Sequence, residues 1–224
     1  MPRQNRVTPL GDMIATPARG ALMGNRGRLH DEHGRLRRSF SVQRWIICLL
    51  SFKGRRRSVM APGQYTELFF LDEATALAAG HRPCAECQRE RFERFRAVWA
   101  AANPRLAHGP RPAAPALDAA LHAERLTSSG QKRTYVAPAA SLPDGAFVLW
   151  TADPAAAPLP YLVLGRWLLR WSPFGYDAAI PRPAGGDLPV LTPRSVVRTL
   201  AAGYAPGLHP TAQSGLSLPD TRQS

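Results

Sequence analysis

The stretch that decides the fold is LFFLDEATALAAGHRPCAEC, residues 68–87. Together with the preceding residues its aromatic start forms YTELFFL (65–71), a run typical of a β-strand. Asp72 is predicted to cap a short alanine-rich helix, and Gly80 stands where a left-handed residue ends such a helix. The sequence therefore predicts a strand, a capped helix and then a sharp turn into the segment that begins at His81.

The residues before this stretch predict β structure with tight turns. The run FSVQRWIICLLSF (40–52) is rich in β-branched and aromatic residues and predicts a buried central strand. The acidic and glycine-containing stretch LHDEHG (29–34) favours a polar hairpin turn, with a metal site as the alternative. After the cysteines, a helix is predicted from about Cys84 to Ala102, with Phe92, Phe95, Val98 and Trp99 on one face.

The remaining chain predicts a second module. Residues 103–116 are rich in Pro and Ala and indicate a linker, and residues 117–126 predict a helix. Short apolar strands follow, and a last helix is predicted over residues 193–203 with Thr192 as its cap. The fold class is therefore predicted as α+β: a basic module with a small mixed sheet over residues 1–102 and a β-rich module of unknown role over residues 117–210, followed by a flexible tail over 211–224.

The composition indicates a globular, strongly basic protein. The chain has 224 residues, of which 45% are hydrophobic, and a formal net charge of +13. Its first 57 residues contain thirteen Arg or Lys side chains against three acidic ones. Such a surplus favours nucleic acid as a partner, although a merely soluble basic surface is the alternative. No apolar run is long enough to span a membrane, and three cysteines without a secretory signal favour a cytoplasmic protein.

The pair Cys84 and Cys87 is the strongest chemical signal. A C-x2-C turn presents two thiolates to one metal ion, and zinc prefers such soft ligands. A redox pair and two metal-free thiols are the alternatives. Because zinc takes four ligands, one such pair supplies half of a site.

Residues 68–87 resemble the second half of the metal-binding domain of the Ada family, which acts in methylphosphotriester repair. In that family a strand and an alanine-rich helix lead into a G-x-R-P-C-x-x-C knuckle whose cysteines bind zinc, and the domain touches the DNA backbone. The resemblance implies that Cys84 and Cys87 are zinc ligands. The family's other two cysteines, one of them the methyl acceptor, fall here on Lys53 and Arg57, or on Gly54 and Ser58 after a shift of one residue.

That departure predicts that methyl-accepting chemistry is absent, because no thiolate stands at those positions. Any further metal ligand must come from elsewhere in the chain. His81 is our first choice, and the other candidates are Cys48, His30, His33 and His122. Cys48 lies within an apolar run, which favours a buried hydrophobic role for it.

The basic residues predict a phosphate-binding track. Lysine and arginine clustered at a strand end can hold several phosphates, and arginine does so bidentately. We expect the nucleic-acid-binding residues to be Lys53, Arg55, Arg56, Arg57, Arg35, Arg37 and Arg38, with Arg26 and Arg28 extending the track.

Two functions follow from these patterns. The first is a metal-binding protein, with zinc as the implied cofactor, that contacts the nucleic acid backbone through a degenerate Ada-like domain. The second is an enzyme of unknown reaction acting on an anionic substrate in a cleft between the modules. No phosphate-binding loop, metalloprotease motif or nucleophile elbow is present in the sequence.

Overall fold

The computed structural model describes residues 1–54 and 58–214. It confirms the predicted α+β class, with two six-stranded sheets and helices packed around them. The strands of the first sheet are β1 (Gln4–Val7), β2 (Met13–Ala15), β3 (Leu22–Asn25), β4 (Ile46–Cys48), β5 (Leu68–Phe70) and β6 (Arg82–Pro83).

The first sheet is mixed and has the order β2-β1-β5-β3-β4-β6. Its β1–β5 and β4–β6 pairs are parallel, and the other pairs are antiparallel. Strands β3 and β4 approach closely at Gly24, where a Cβ atom would lie 2.2 Å from the carbonyl oxygen of Ile46. Only glycine fits this position, and its lack of a side chain lets β4 pair with β3 at this short distance.

The second sheet is antiparallel throughout and has the order β11-β10-β9-β8-β12-β7. It contains the short strands predicted for the C-terminal part. They are β7 (Tyr135–Pro138), β8 (Phe147–Trp150), β9 (Leu159–Leu164), β10 (Trp167–Ser172), β11 (Gly175–Pro181) and β12 (Asp187–Val190).

The helices cover the sheets and join them. They are α1 (Glu73–Ala78), α2 (Arg89–Ala102), α3 (Pro104–Ala107), α4 (Ala114–Arg125), α5 (Arg194–Ala201) and α6 (Thr211–Ser214). Asp72 caps α1 as predicted, with its side chain accepting a hydrogen bond from the Thr75 amide at 2.8 Å, and Gly80 has the expected positive φ of 90°. The aromatic face of α2 is buried as predicted, at Phe92, Phe95 and Trp99.

Three element predictions are corrected. The strand predicted over residues 40–52 is confined to Ile46–Cys48. It ends there because the next amide, that of Leu49, donates to the Cys87 sulfur instead of to a neighbouring strand. The helix predicted from Cys84 begins at Arg89, because residues 85–88 form turns. Thr192 does not cap α5, since its hydroxyl accepts a hydrogen bond from the Phe147 amide.

The two sheets share one hydrophobic cluster. It contains Ile47 and Phe70 of the first sheet together with Val148 and Val163 of the second. Residues 103–116, predicted as a linker, include all of α3 and the start of α4. No helix within residues 1–54 and 58–214 is both long enough and apolar enough to cross a membrane.

Candidate metal centre

The parallel pairing of β4 with β6 brings Cys48 to Cys84. Ile46 is paired with Arg82, and Ile47 with Pro83, so the residue that follows each of the second pair is a cysteine. The Cys84 amide also donates to the Ile47 carbonyl at 2.9 Å. Because parallel strands end at the same edge of a sheet, this register places both thiols at one edge.

A tight turn brings the third sulfur to the same place. Residues 85–88 reverse the chain, and the Gln88 amide donates to the Cys84 carbonyl at 3.2 Å. The Gln88 side chain donates to the Ile47 carbonyl at 2.8 Å, which ties the turn to the end of β4. Cys87 therefore returns toward Cys84, as the C-x2-C spacing predicts.

The sulfur atoms of Cys48, Cys84 and Cys87 all lie within 4.8 Å of one another. Cys48 and Cys84 are buried, and Cys87 is partly buried. Among the described residues, these cysteines are the only group of three or more His, Cys, Asp or Glu side chains that could hold a metal ion. Three thiols converging in this way can bind a single soft or borderline ion.

Backbone amides point at two of the sulfurs. The Leu49 amide donates to Cys87 Sγ at 3.4 Å, and the Glu86 amide donates to Cys84 Sγ at 3.4 Å. Such donors favour the thiolate over the thiol, because they stabilise negative charge on sulfur. They are therefore suited to thiolates that bind a metal.

The metal-free sulfurs perturb one another. A hydrogen bond from the Cys48 thiol lowers the pKa of Cys84, and the same contact with Cys84 raises the pKa of Cys48. Burial raises the pKa of Cys87. Three negative charges this close repel, so the three thiols do not ionise independently.

A buried ion pair fixes the strand that carries Cys84. Arg82 donates from Nε to Asp118 Oδ1 at 2.9 Å and from Nη2 to Oδ2 at 2.8 Å. Asp118 belongs to α4, so a helix predicted to be part of the second module holds the knuckle of the first. The guanidinium of Arg82 also lies 4.9 Å from the ring centre of Phe92.

His81, the predicted third ligand, is not a member of the three-sulfur group. Its ring is fully buried beside Trp45 and Phe70, and its Nε2 atom accepts a hydrogen bond from Arg26 Nε at 3.2 Å. Burial, together with the nearby Arg26 and Arg125, holds the pKa of His81 well below its usual range. Its role as a ligand stays a prediction.

The other three candidate histidines also lie outside the sulfur group. His30 contacts the Thr66 hydroxyl at 2.6 Å, and His122 lies against Phe40. His33 is exposed in the hairpin turn, where its amide donates to Asp31 at 2.9 Å. The stretch 29–34 is therefore a polar turn, as the sequence favoured.

The predicted phosphate-binding residues fall into two groups. Arg35, Arg37, Arg38 and Lys53 are exposed, although Arg37 is paired with Asp31 at 2.8 Å. Arg55, Arg56 and Arg57 lie outside the described residues. The expectation that Arg26 extends the track is wrong, because its guanidinium is buried against the Trp45 ring at 4.0 Å.

Sequence analysis named Cys48 among the candidate ligands but placed it after His81. Its apolar neighbours indicated a buried hydrophobic role, and the residue is indeed buried, but its sulfur lies with the other two. The available signal was its place at the end of a strand that could pair with the strand before Cys84. Comparison of the chain with protein-family models, with curated proteins and with solved structures found no match.

Proposed function

We propose that the protein binds one zinc ion through the thiolates of Cys48, Cys84 and Cys87. The observation that carries this proposal is the convergence of the three sulfurs within 4.8 Å. Sulfurs on one tetrahedral zinc ion, with Zn–S bonds of about 2.3 Å, are about 3.8 Å apart. Side-chain adjustments of about 1 Å or less would therefore bring all three sulfurs within bonding distance of one ion.

The chemistry of the donors favours zinc over harder ions. Calcium and magnesium take oxygen ligands, whereas thiolates select zinc and other soft ions. The resemblance of residues 68–87 to the Ada-type knuckle supports the same choice. In this protein the third sulfur would come from β4, five residues before the position of the family's first missing cysteine.

Metal analysis of the purified protein tests this site. We expect about one zinc ion per chain, and we expect single Cys48→Ser, Cys84→Ser and Cys87→Ser variants to bind zinc more weakly. Cys48→Ser is the decisive variant, because the C-x2-C pair alone does not involve it. Undiminished zinc affinity in this variant would rule out a three-thiolate site.

A His81→Asn variant distinguishes a site formed by the three cysteines from a site formed by Cys84, Cys87 and His81. With three cysteines as ligands, this variant keeps its zinc, even if loss of the buried ring lowers stability. If His81 were a ligand, zinc affinity would fall as it does for a cysteine variant. A metal-free protein that instead forms a disulfide among the three thiols would favour the redox alternative.

A second candidate function is binding to the nucleic acid backbone. It is favoured by the thirteen basic side chains among the first 57 residues and by the exposure of Arg35 and Arg38. Contacts to phosphate would not depend on the base sequence of the nucleic acid.

Salt titration of DNA binding tests this second function. We expect the affinity for a DNA duplex to fall as the salt concentration rises. An Arg35→Gln, Arg38→Gln double variant should reduce the slope of log affinity against log salt concentration by about two units. The control, Arg105→Gln with Arg166→Gln, removes the same charge from exposed positions outside the first 57 residues. Equal slopes in the two double variants would show only a general charge effect.

A further inference from the structure

The three sulfurs form part of the wall of a cavity of about 450 Å³. Its interior is lined by apolar side chains that include Met23, Ile46 and Phe69. Leu50 and Val59 also line it and are exposed, Leu50 by 55%. A cavity of this size and character can enclose a small organic molecule.

A metal ion held by the three cysteines would lie at the wall of this cavity, since all three line it. A structural zinc site has four protein ligands, whereas a site with three keeps one position for another molecule. Among the described residues, no fourth His, Cys, Asp or Glu ligand atom lies within the sulfur group. Since all three cysteines line the cavity, a fourth ligand can enter from it.

The apolar lining of the cavity disfavours a charged group on the body of a ligand. The side chains of Met23, Ile46 and Phe69 offer such a group neither an opposite charge nor a hydrogen-bond donor. Burying a sulfonate or carboxylate against this lining would cost its hydration without compensation.

We infer that this cavity binds a neutral organic thiol, whose sulfur becomes the fourth metal ligand while its apolar body packs against Met23, Ile46 and Phe69. The inference rests on the proposed metal site. A soft donor suits an ion that already has three thiolates, and an apolar body suits the lining. On binding, the thiol loses its S–H proton to solvent and forms a metal–sulfur bond, without any transfer of electrons.

The cobalt-substituted protein tests the inference, because Co²⁺ reports its ligands through its absorption. Cobalt bound by three thiolates has sulfur-to-metal charge-transfer absorption, which first establishes the metal site. Benzyl mercaptan should then raise this absorption saturably by about a third, since a fourth sulfur joins three. Benzyl alcohol, which lacks the sulfur, should not raise it.

Two comparisons test the recognition of the thiol. The anionic probe 2-mercaptoethanesulfonate, whose sulfonate would be buried against the apolar lining, should bind at least about tenfold more weakly than benzyl mercaptan. A Leu50→Asp variant, which adds negative charge beside the cavity, should weaken benzyl mercaptan binding about tenfold. The matched control is Leu159→Asp on the second sheet, also at an exposed leucine, and it should leave binding unchanged.

The outcomes separate this inference from the metal site. Cobalt absorption that benzyl mercaptan does not change would overturn the inference and leave the metal site standing. Equal binding of the two thiols would also overturn it. If benzyl mercaptan acts only after a Glu86→Gln change, the Glu86 carboxylate is the fourth ligand and the position is not open. Absence of cobalt absorption would overturn both proposals.

Discussion

Arg82 and Asp118 form a bidentate ion pair in which both side chains are almost fully buried. The pair joins the strand before Cys84 to helix α4, whose Asp118 lies 36 residues beyond Arg82 along the chain. A buried guanidinium that loses its partner carries an uncompensated charge, so this contact makes the knuckle dependent on α4.

An Asp118→Asn variant should lower the free energy of unfolding by about 3–5 kcal/mol, because it leaves the charge of Arg82 buried and unpaired. It should also weaken metal binding, since Arg82 fixes the backbone that leads to Cys84. Urea denaturation and metal titration measure the two effects. The control is Asp177→Asn, which breaks the exposed Arg170–Asp177 pair and should cost less than about 1 kcal/mol. Equal losses in the two variants would contradict this account.

Lys132 should give the protein an unusual dependence of stability on pH. Its ammonium group donates to the Ala78 carbonyl, and burial together with Arg26 and Arg125 lowers its pKa from 10.5 to about 7. Between these two values the unfolded chain holds a proton that the folded chain has released. This group therefore makes the free energy of unfolding rise with pH across that window.

A Lys132→Met variant should lose this rise. Denaturation of the original protein and the variant at several pH values between 7 and 10.5 measures this loss. The contributions of the other titrating groups cancel in the difference between the two free energies of unfolding. Below pH 7 the difference should be constant, since both states are then protonated. Lys53→Met is the matched control, as Lys53 is the other lysine in the chain and is exposed. A pH-independent difference for Lys132→Met would contradict the prediction.

Tyr176 supports the cap of helix α1. Its hydroxyl donates to Asp72 Oδ2 at 2.7 Å, while Asp72 Oδ1 accepts from the Thr75 amide. A Tyr176→Phe variant should therefore lower the free energy of unfolding by about 1–2 kcal/mol. Thermal denaturation measures the loss.

Tyr135→Phe is the control for this change. The Tyr135 hydroxyl is buried and has no hydrogen-bond partner among the described residues. Removing it should change stability by less than about 0.5 kcal/mol or increase it slightly. A cost equal to that of Tyr176→Phe would show that the Asp72 contact contributes nothing specific.

Gly80 is required for two separate reasons. Its φ is +90°, and a Cβ atom there would lie 2.6 Å from Cδ of the buried Arg125. Gly80→Ala should cost about 2 kcal/mol or more, because backbone strain and a steric clash add. Gly203→Ala isolates the strain, since φ is +97° there and nothing lies within 4 Å, so it should cost about 1 kcal/mol. Chemical denaturation compares the two, and equal losses would exclude the clash.

The fold class and the local elements of the knuckle could be predicted from the sequence, because their causes are local. The Asp72 cap, the positive φ at Gly80 and the turn between Cys84 and Cys87 each depend on residues a few positions apart. The buried aromatic face of α2 follows from helical spacing in the same way.

The composition of the site could not be predicted in this way. Cys48 reaches Cys84 only because β4 pairs with β6 in parallel, in the register that aligns Ile47 with Pro83. A strand with few polar residues carries little information on its partner or register, since many pairings bury the same side chains. Likewise, the burial of Arg26 against Trp45 depends on segments that are distant in sequence.

The sequence by itself determined the C-x2-C turn, the capped helix before it and the excess of positive charge, because each depends on residue type and short spacing. Only the tertiary structure decided that a third sulfur joins the pair, that the three sulfurs line an apolar cavity, and that Asp118 holds Arg82 in place. These features depend on strand register and helix packing, which bring together residues far apart along the chain.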